Sequence, residues 1–408
     1  MTRSTDQPPS SLSSWHLADL RELAQLLAEA LPAAVQITEA VHRAVLSGMG
    51  LKGPGEGNRT GITGRVYQGV HGAANTLNVL LTRLPQSPPL PPHHETPTRA
   101  ALLATLNGVM GDRLVESNNA LATPMTLRYR GRPLDWQAMP ADLPPKGRVL
   151  LMVHGLCMND LQWQTRYQEQ PVNHGETLAS ALGYVPLYLR YNSGLPVAQN
   201  GRELALMLQR LLDHWPGHLE EISLLGFSMG GLVARSACHH AGSAALGWPT
   251  RLANLIFLGT PHQGAPLEHA GHWLEQWLPA TAYSEPFVRL ARLRSAGIKD
   301  LRHGKVIEPS GLCAHLSDPR EPLPLPVGVN CFAVAATTAA RRSLLADRLI
   351  GDGLVPLRSA LGQHHEPRHQ LAFLPARTRI VYRTSHMALL ASPQVSSQLL
   401  QWLAPDRN

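Results

Sequence analysis

Ile222-Ser223-Leu224-Leu225-Gly226-Phe227-Ser228-Met229-Gly230-Gly231-Leu232-Val233-Ala234-Arg235-Ser236 is the stretch on which the reading of this chain turns. Ile222 to Phe227 is a short apolar run, which reads as a strand buried on both faces. From Gly230 to His240 the pattern becomes helical. Gly226-Phe227-Ser228-Met229-Gly230 lies between them and matches G-x-S-x-G. The motif alone is weak, but strand–turn–helix is the context that a nucleophile elbow requires. Gly226 and Gly230 let the backbone turn tightly where a side chain would clash. The turn lifts Ser228 out at the C-terminal edge of a sheet. The helix that follows aims its N-terminus at the same place, which favours developing negative charge.

A serine hydroxyl needs a base to become nucleophilic near neutral pH. The chain has 20 histidines, so the choice rests on position. In Arg379-Ile-Val-Tyr-Arg-Thr-Ser-His386 the last apolar strand ends and His386 follows in its loop. An acid must then hold the imidazole tautomer and stabilise the imidazolium. Asp352, between Gly351 and Gly353, sits in the loop expected after the strand Cys331 to Ala336. Asp347 and Asp318 compete with it, but neither lies in so exposed a turn. An oxyanion needs preorganised backbone donors. The amide of Met229 is one candidate. The other is Leu156, in the loop His154-Gly155-Leu156-Cys157-Met158 that follows the apolar run Val149 to Val153.

Working outward, Met125 to Trp136 reads as a hairpin turning at Arg130–Gly131. Strands are expected at Val149 to Val153, Tyr184 to Tyr191, Ile222 to Phe227, Leu255 to Gly259, Cys331 to Ala336 and Arg379 to Arg383. Helices are expected at Gly201 to Leu212, Gly230 to His240 and Pro393 to Leu403. Strands alternating with helices argue a mostly parallel sheet with helices on both faces. Residues 1–123 read as a helical accessory segment with a Pro-rich linker at 85–97, and residues 124–408 as the catalytic domain. Amphipathic runs begin near Leu17, Ile62 and Thr98. An insertion of about 267–328, with Trp273 and Trp277, reads as a helical cap or as a pair of decorating helices.

Composition narrows the function. The chain has 408 residues, is 44% hydrophobic and only 16% charged, and carries a net charge of +7. Basic residues are scattered rather than gathered in a stripe, so a nucleic-acid partner is not expected. Contact with an anionic membrane or lipid surface is a better use of the excess. The start is polar and lacks an apolar signal core, which makes the expected location cytoplasmic, peripheral to a membrane or lipid surface. Cys157, Cys238, Cys313 and Cys331 form no zinc pattern; Cys313 and Cys331 are the pair to suspect in an exported protein. No metal site and no cofactor are expected: there is no HExxH, no Walker loop and no dinucleotide fingerprint.

Six stretches in order now carry a resemblance: VHGLCMNDLQW, RYNSG, GFSMGGLVARS, LGTPHQGAP, GDGLVP and SHMALL. They are similar to the successive landmarks of α/β-hydrolase lipases and esterases, most nearly the group around GPI inositol-deacylases and bacterial triacylglycerol lipases. The resemblance covers about 148–403. It implies the α/β-hydrolase fold, the triad Ser228, Asp352 and His386, and an oxyanion hole from Leu156 and Met229. It further implies that Thr260 and Pro261 line the acyl site. His154, Trp273 and Trp277 join them as expected substrate-binding residues. Phe227 stands where such families commonly carry His, and residues before about Gln137 have no counterpart. The expected function is hydrolysis of carboxylic esters, lipidic or of medium chain, through an acyl-enzyme. An acyltransferase or thioesterase using the same triad, or a lipid- or granule-surface binding protein, are the alternatives.

Overall fold

Each of the long apolar runs folds as a strand, because a continuous run has no polar face to leave in water. The computed structural model describes residues 97–266, 295–308, 320–340 and 351–404. Helix α1 (Pro97–Glu116, kinked at Met110) leads into the hairpin β1 (Thr126–Tyr129) and β2 (Arg132–Pro133). Arg130 and Gly131 both have positive φ, 48° and 77°, the mark of a type I′ turn at the place expected. Strand β3 (Lys146–Val153) is followed by a small hairpin, β4 (Thr165–Tyr167) with β5 (Gln170–Val172), and by α2 (His174–Leu182). Next come β6 (Val185–Arg190), α3 (Val197–His214), β7 (His218–Phe227), α4 (Met229–Ser243) and β8 (Leu252–Leu258). The remaining elements are α5 (Ala296–His303), β9 (Asn330–Thr337), α6 (Leu357–Ala360), β10 (Thr378–Tyr382) and α7 (Pro393–Leu403).

Eight strands form one sheet in the order β2-β1-β6-β3-β7-β8-β9-β10. β1 runs antiparallel to both neighbours, and the other pairings are parallel. From β3 the chain winds outward to β6, then returns past β3 to β7 and continues to β10. Right-handed crossovers therefore put α2 on the face opposite α3 and α4. The packing agrees, since α3 lies along α4 and α2 along α7. Val149 to Val153 of β3 and Leu255 to Leu258 of β8 are fully buried between the helical layers. This is the α/β-hydrolase fold, with a strand–elbow–helix at β7–α4. Reversal of the winding between β3 and β7 opens a crevice at their C-terminal ends, where ligands bind in sheets of this type.

Helix α2 was not anticipated, although its signals are in the chain. Asn173 caps it, its side chain accepting from the Gly175 and Glu176 amides, and Gly183 ends it at φ 73°. Ala101–Arg113 of α1 belong with Thr123 onward to one compact unit; Pro97–Ala100 and Leu114–Ala122 belong to a second. The expected boundary at 123 therefore differs from the structural one over the middle of α1. In the smaller unit the Asn119 amide closes the chain on Leu114 O at 2.8 Å. The amphipathic runs near Leu17 and Ile62, the Pro-rich linker, and Trp273 and Trp277 lie outside the described residues. Within the expected cap insertion, α5 is described and is helical as its period suggested.

Candidate active site

Ser228 stands between the last residue of β7 and the first of α4, at φ 52° and ψ −123°. That backbone region is costly for any residue with a Cβ and persists only where the surroundings hold it. Two bonds hold it: the Ser228 amide donates to Leu258 O at 2.8 Å, and the Gly231 amide to Ser228 O at 3.1 Å. Both motif glycines are sterically required. A Cβ on Gly226 would lie 2.5 Å from the Gly231 backbone, and one on Gly230 would collide with the carbonyl oxygens of Val153 and His154. Ser228 is 1% exposed, and its Oγ makes no hydrogen bond among the described residues.

Asp352 and His386 come together from different loops. His386 Nδ1 donates to Asp352 Oδ2 at 2.6 Å, and the His386 amide donates to Asp352 O at 3.0 Å. The other carboxylate oxygen accepts the amides of Leu354 and Val355 at 3.0 and 2.7 Å. The carboxylate is thus saturated with donors and fixed in orientation, its own backbone turned by Gly351 and Gly353, both at positive φ. A proton held on Nδ1 leaves Nε2 as the nitrogen that can accept one. Asp318 and Asp347, the rival acids, lie outside the described residues.

The imidazole reaches the neighbourhood of the elbow. Its ring centroid is 4.7 Å from that of Phe227, and a Cβ on Gly259 would stand 3.0 Å from His386 Cε1. Phe227 flanks the serine, and Gly259 follows the residue whose carbonyl binds the Ser228 amide. Phe227, the departure from the expected motif, is fully buried between His386 and Trp163 and supplies an apolar wall for the ring.

The loop after β3 touches the serine from the other side: a Cβ on Gly155 would lie 3.1 Å from Ser228 Cβ. Its amides are unequally used. Gly155 N–H points at Met158 Sδ at 3.3 Å, and Cys157, at φ 59°, donates to Ser193 Oγ at 3.0 Å. The Leu156 amide donates to no described group. Nor does that of Met229, which begins α4 and so has no partner one turn back. Two unspent N–H groups on adjacent strand ends are what an oxyanion requires.

His154, expected to touch substrate, has a different task. It is fully buried, stacked on Tyr191 at 4.2 Å, and both nitrogens are engaged by backbone. Nδ1 donates to Gly155 O at 2.9 Å, and Nε2 accepts the Tyr191 amide at 3.3 Å. Burial holds its pKa down at about 3, so it stays neutral and splints the loop. Thr260 is likewise fully buried and turns its hydroxyl toward Gly226 O at 3.5 Å, packing behind the elbow with the buried Pro261. Sequence reasoning also passed over His174, whose Nε2 donates to Leu389 O at 2.9 Å and so anchors the turn that follows His386. Among the described residues no group of His, Cys, Asp or Glu is placed to hold a metal, and Cys331 is a free, buried thiol.

A model described as a domain of unknown function, DUF7379, matches residues 117–283. No curated protein matches the sequence. Several solved structures resemble the chain. The lipase BlEst2 of Bacillus licheniformis, in mature form, is 16% identical over 69% of this chain and 98% of that one, with a TM-score of 0.39. A lipase-esterase related protein from Clostridium acetobutylicum is 12% identical over 69% and 100%, with a TM-score of 0.34. The NocB thioesterase domain, solved as a covalent complex with a fluorophosphonate nocardicin G analogue, is 13% identical over 69% and 100%, with a TM-score of 0.36.

Proposed function

We propose that the protein is a serine hydrolase that cleaves carboxylic esters through an acyl-enzyme. The observation that carries this reading is the buried Asp352–His386 pair beside a serine held at positive φ on a strand-to-helix elbow. Ser228 Oγ attacks the ester carbonyl carbon while His386 Nε2 takes the hydroxyl proton. The carbonyl oxygen becomes an oxyanion that receives the Leu156 and Met229 amides. Collapse breaks the carbon–oxygen bond to the alcohol, and His386 returns its proton to the leaving alkoxide. Water then attacks the acyl carbon and gives a proton to His386, the bond from that carbon to Ser228 Oγ breaks, His386 returns the proton to Oγ, and the acid leaves. Asp352 holds the imidazole through its Nδ1–H and stabilises the imidazolium. Low charge content and the apolar residues of the expected cap insertion support an acyl part that is lipidic or of medium chain length.

The direct test is labelling with a fluorophosphonate, which reacts with an activated serine. The wild-type chain should be labelled and Ser228→Ala should not; labelling that persists in the variant would overturn the assignment. Hydrolysis of p-nitrophenyl esters of graded chain length should fall in the same variant by a factor on the order of 10⁴–10⁶.

A further inference from the structure

Arg190-Tyr191-Asn192-Ser193-Gly194, one of the six ordered stretches in the sequence, supplies neither the triad nor an oxyanion donor. From the end of β6 it forms a loop that grips the oxyanion loop at three points. The Tyr191 amide donates to His154 Nε2 at 3.3 Å, and the Tyr191 hydroxyl donates to His154 O at 2.9 Å. Ser193 Oγ accepts the Cys157 amide at 3.0 Å. Leu156 lies between the residues so held. A trans peptide is planar, so its C=O and N–H point opposite ways. His154 Nδ1 holds Gly155 O, which sends the Leu156 N–H the other way. Ser193 holds the next peptide by its N–H. Both planes that meet at Leu156 are therefore fixed, and its amide has one direction.

The Ser193 bond secures the strained side of the pair. Cys157 sits at φ 59°, where a residue with a Cβ is uncommon. Ser193 and Cys157 are both buried, and a buried N–H that loses its acceptor is costly. Without the hydroxyl the Cys157 peptide must turn to find another partner. Helix α5 in turn seats Ser193. The Gly297 amide donates to Gly194 O at 2.9 Å. A Cβ on Gly297 would collide with Ser193 O and stand 3.0 Å from Met229 Cε. Ser295, which caps α5, donates to Gly108 O at 2.7 Å, and the Ala296 amide donates to Asp112 Oδ2 at 2.9 Å. Gly108 is the α1 residue packed on Cys157. The first turn of α5 thus meets the loop after β6, helix α1, and the side chain of Met229, whose amide is the other oxyanion donor.

We propose that Ser193 is a positioning residue for the oxyanion hole, seated by the first turn of α5: its hydroxyl holds the Cys157 peptide so that the Leu156 amide faces the oxyanion. The inference rests on the acyl-enzyme reading. Ser193 acts through the loop and gives no bond to the reacting atoms. The oxyanion exists only once the carbonyl has been attacked. A misdirected amide therefore weakens binding of the transition state and leaves binding of the ester as it was.

The test compares full-length wild type, Ser193→Ala and Gly297→Ala on a p-nitrophenyl ester, well below the Tm of each. Active serines are counted by fluorophosphonate labelling carried to completion. Ser193→Ala should lower kcat per labelled serine by a factor on the order of 10², the lower end of what loss of an oxyanion donor costs. Its KM should stay within about twofold of wild type. A trifluoromethyl ketone with the same acyl chain adds Ser228 Oγ at its carbonyl and so carries an oxyanion. Its Kd should rise by the factor by which kcat falls. A merely structural role would lower Tm and leave both quantities, per labelled serine, at wild-type values. Gly297→Ala keeps the hydroxyl but displaces Ser193 through its carbonyl. It should show the same joint change, and it decides the matter if Ser193→Ala does not fold. Wild-type kcat and ketone affinity in folded Ser193→Ala overturn the role of Ser193; the same result in folded Gly297→Ala overturns its seating by α5. A raised KM with unchanged kcat overturns the proposal too. If the wild type takes no fluorophosphonate, the acyl-enzyme reading fails and this inference with it. A labelled wild type beside an unaffected Ser193→Ala removes this inference alone.

Discussion

At the scale of the residue, the proposed chemistry depends on which nitrogen of His386 carries the proton, and Asp352 decides that. Its Oδ1 is occupied by the Leu354 and Val355 amides, so only Oδ2 faces the imidazole. Asp352→Asn should keep the backbone bond from the His386 amide to residue 352 and therefore keep the fold. It removes the negative charge and presents an amide that can hold the wrong tautomer. We expect kcat on the ester substrate to drop by a factor on the order of 10⁴ with thermal stability nearly unchanged. Turnover within tenfold of wild type would remove Asp352 from the proposed triad. His154 teaches the complementary lesson. A histidine beside a candidate oxyanion loop reads as a substrate contact, yet only the fold shows Tyr191 stacked on its ring and backbone on both nitrogens.

At the scale of the element, the oxyanion loop is shaped from outside itself. Within the larger unit, α1 presents Gly108 to this loop so closely that a Cβ there would stand 2.9 Å from both the nitrogen and the Cα of Cys157. One turn later α1 supplies the Gly111 carbonyl to the Asn192 side chain at 3.0 Å. Gly108→Ala must push the backbone of Cys157 and with it the Leu156 amide. The expected outcome is a fall in kcat approaching the 10²–10³ that loss of one oxyanion donor costs. Fluorophosphonate labelling should slow but persist, because Ser228 and His386 are not displaced. Unaltered kcat in a folded Gly108→Ala protein would show that the loop yields without consequence. Periodicity correctly marked a helix near Thr98 to Leu114, but not that Gly108 and Gly111 of that helix brace the loops after β3 and β6.

At the scale of the whole molecule, three buried histidines make stability depend on acid. His154 and His174 are fully buried with pKa values held near 3 and 4, and His262 is held well below its usual value; burial is the first cause in each. In the unfolded chain each titrates near 6.5. The folded value is the lower one, so below about pH 6.5 the unfolded state binds more protons and stability falls as pH drops. His154 and His174 each withdraw roughly 2 kcal/mol by pH 5, and His262 acts in the same direction. Urea unfolding at pH 7.5 and pH 5 should therefore show a marked drop in midpoint. His174→Leu should be less stable than wild type at pH 7.5, since Leu389 O loses its donor, but should show a shallower pH dependence. An equal slope in the two proteins would count against burial as the cause.

What the linear chain determined is what depends on local pattern. The apolar runs specify the buried strands, because continuous hydrophobic residues must be covered on both faces. The spacing of Gly226, Ser228 and Gly230 specifies a sharp turn, because only residues without a Cβ tolerate the contacts there. Chain order and loop position then single out Asp352 and His386 among many acids and histidines. Tertiary structure alone decided what depends on neighbours distant in sequence. It chose the bond between residues 352 and 386, the buried splint made by His154, and the anchoring of Leu389 by His174 across the fold. It also buried Arg235 of α4, only 5% exposed, which no local pattern could show, because burial is a property of the space around a side chain and not of its place in the chain.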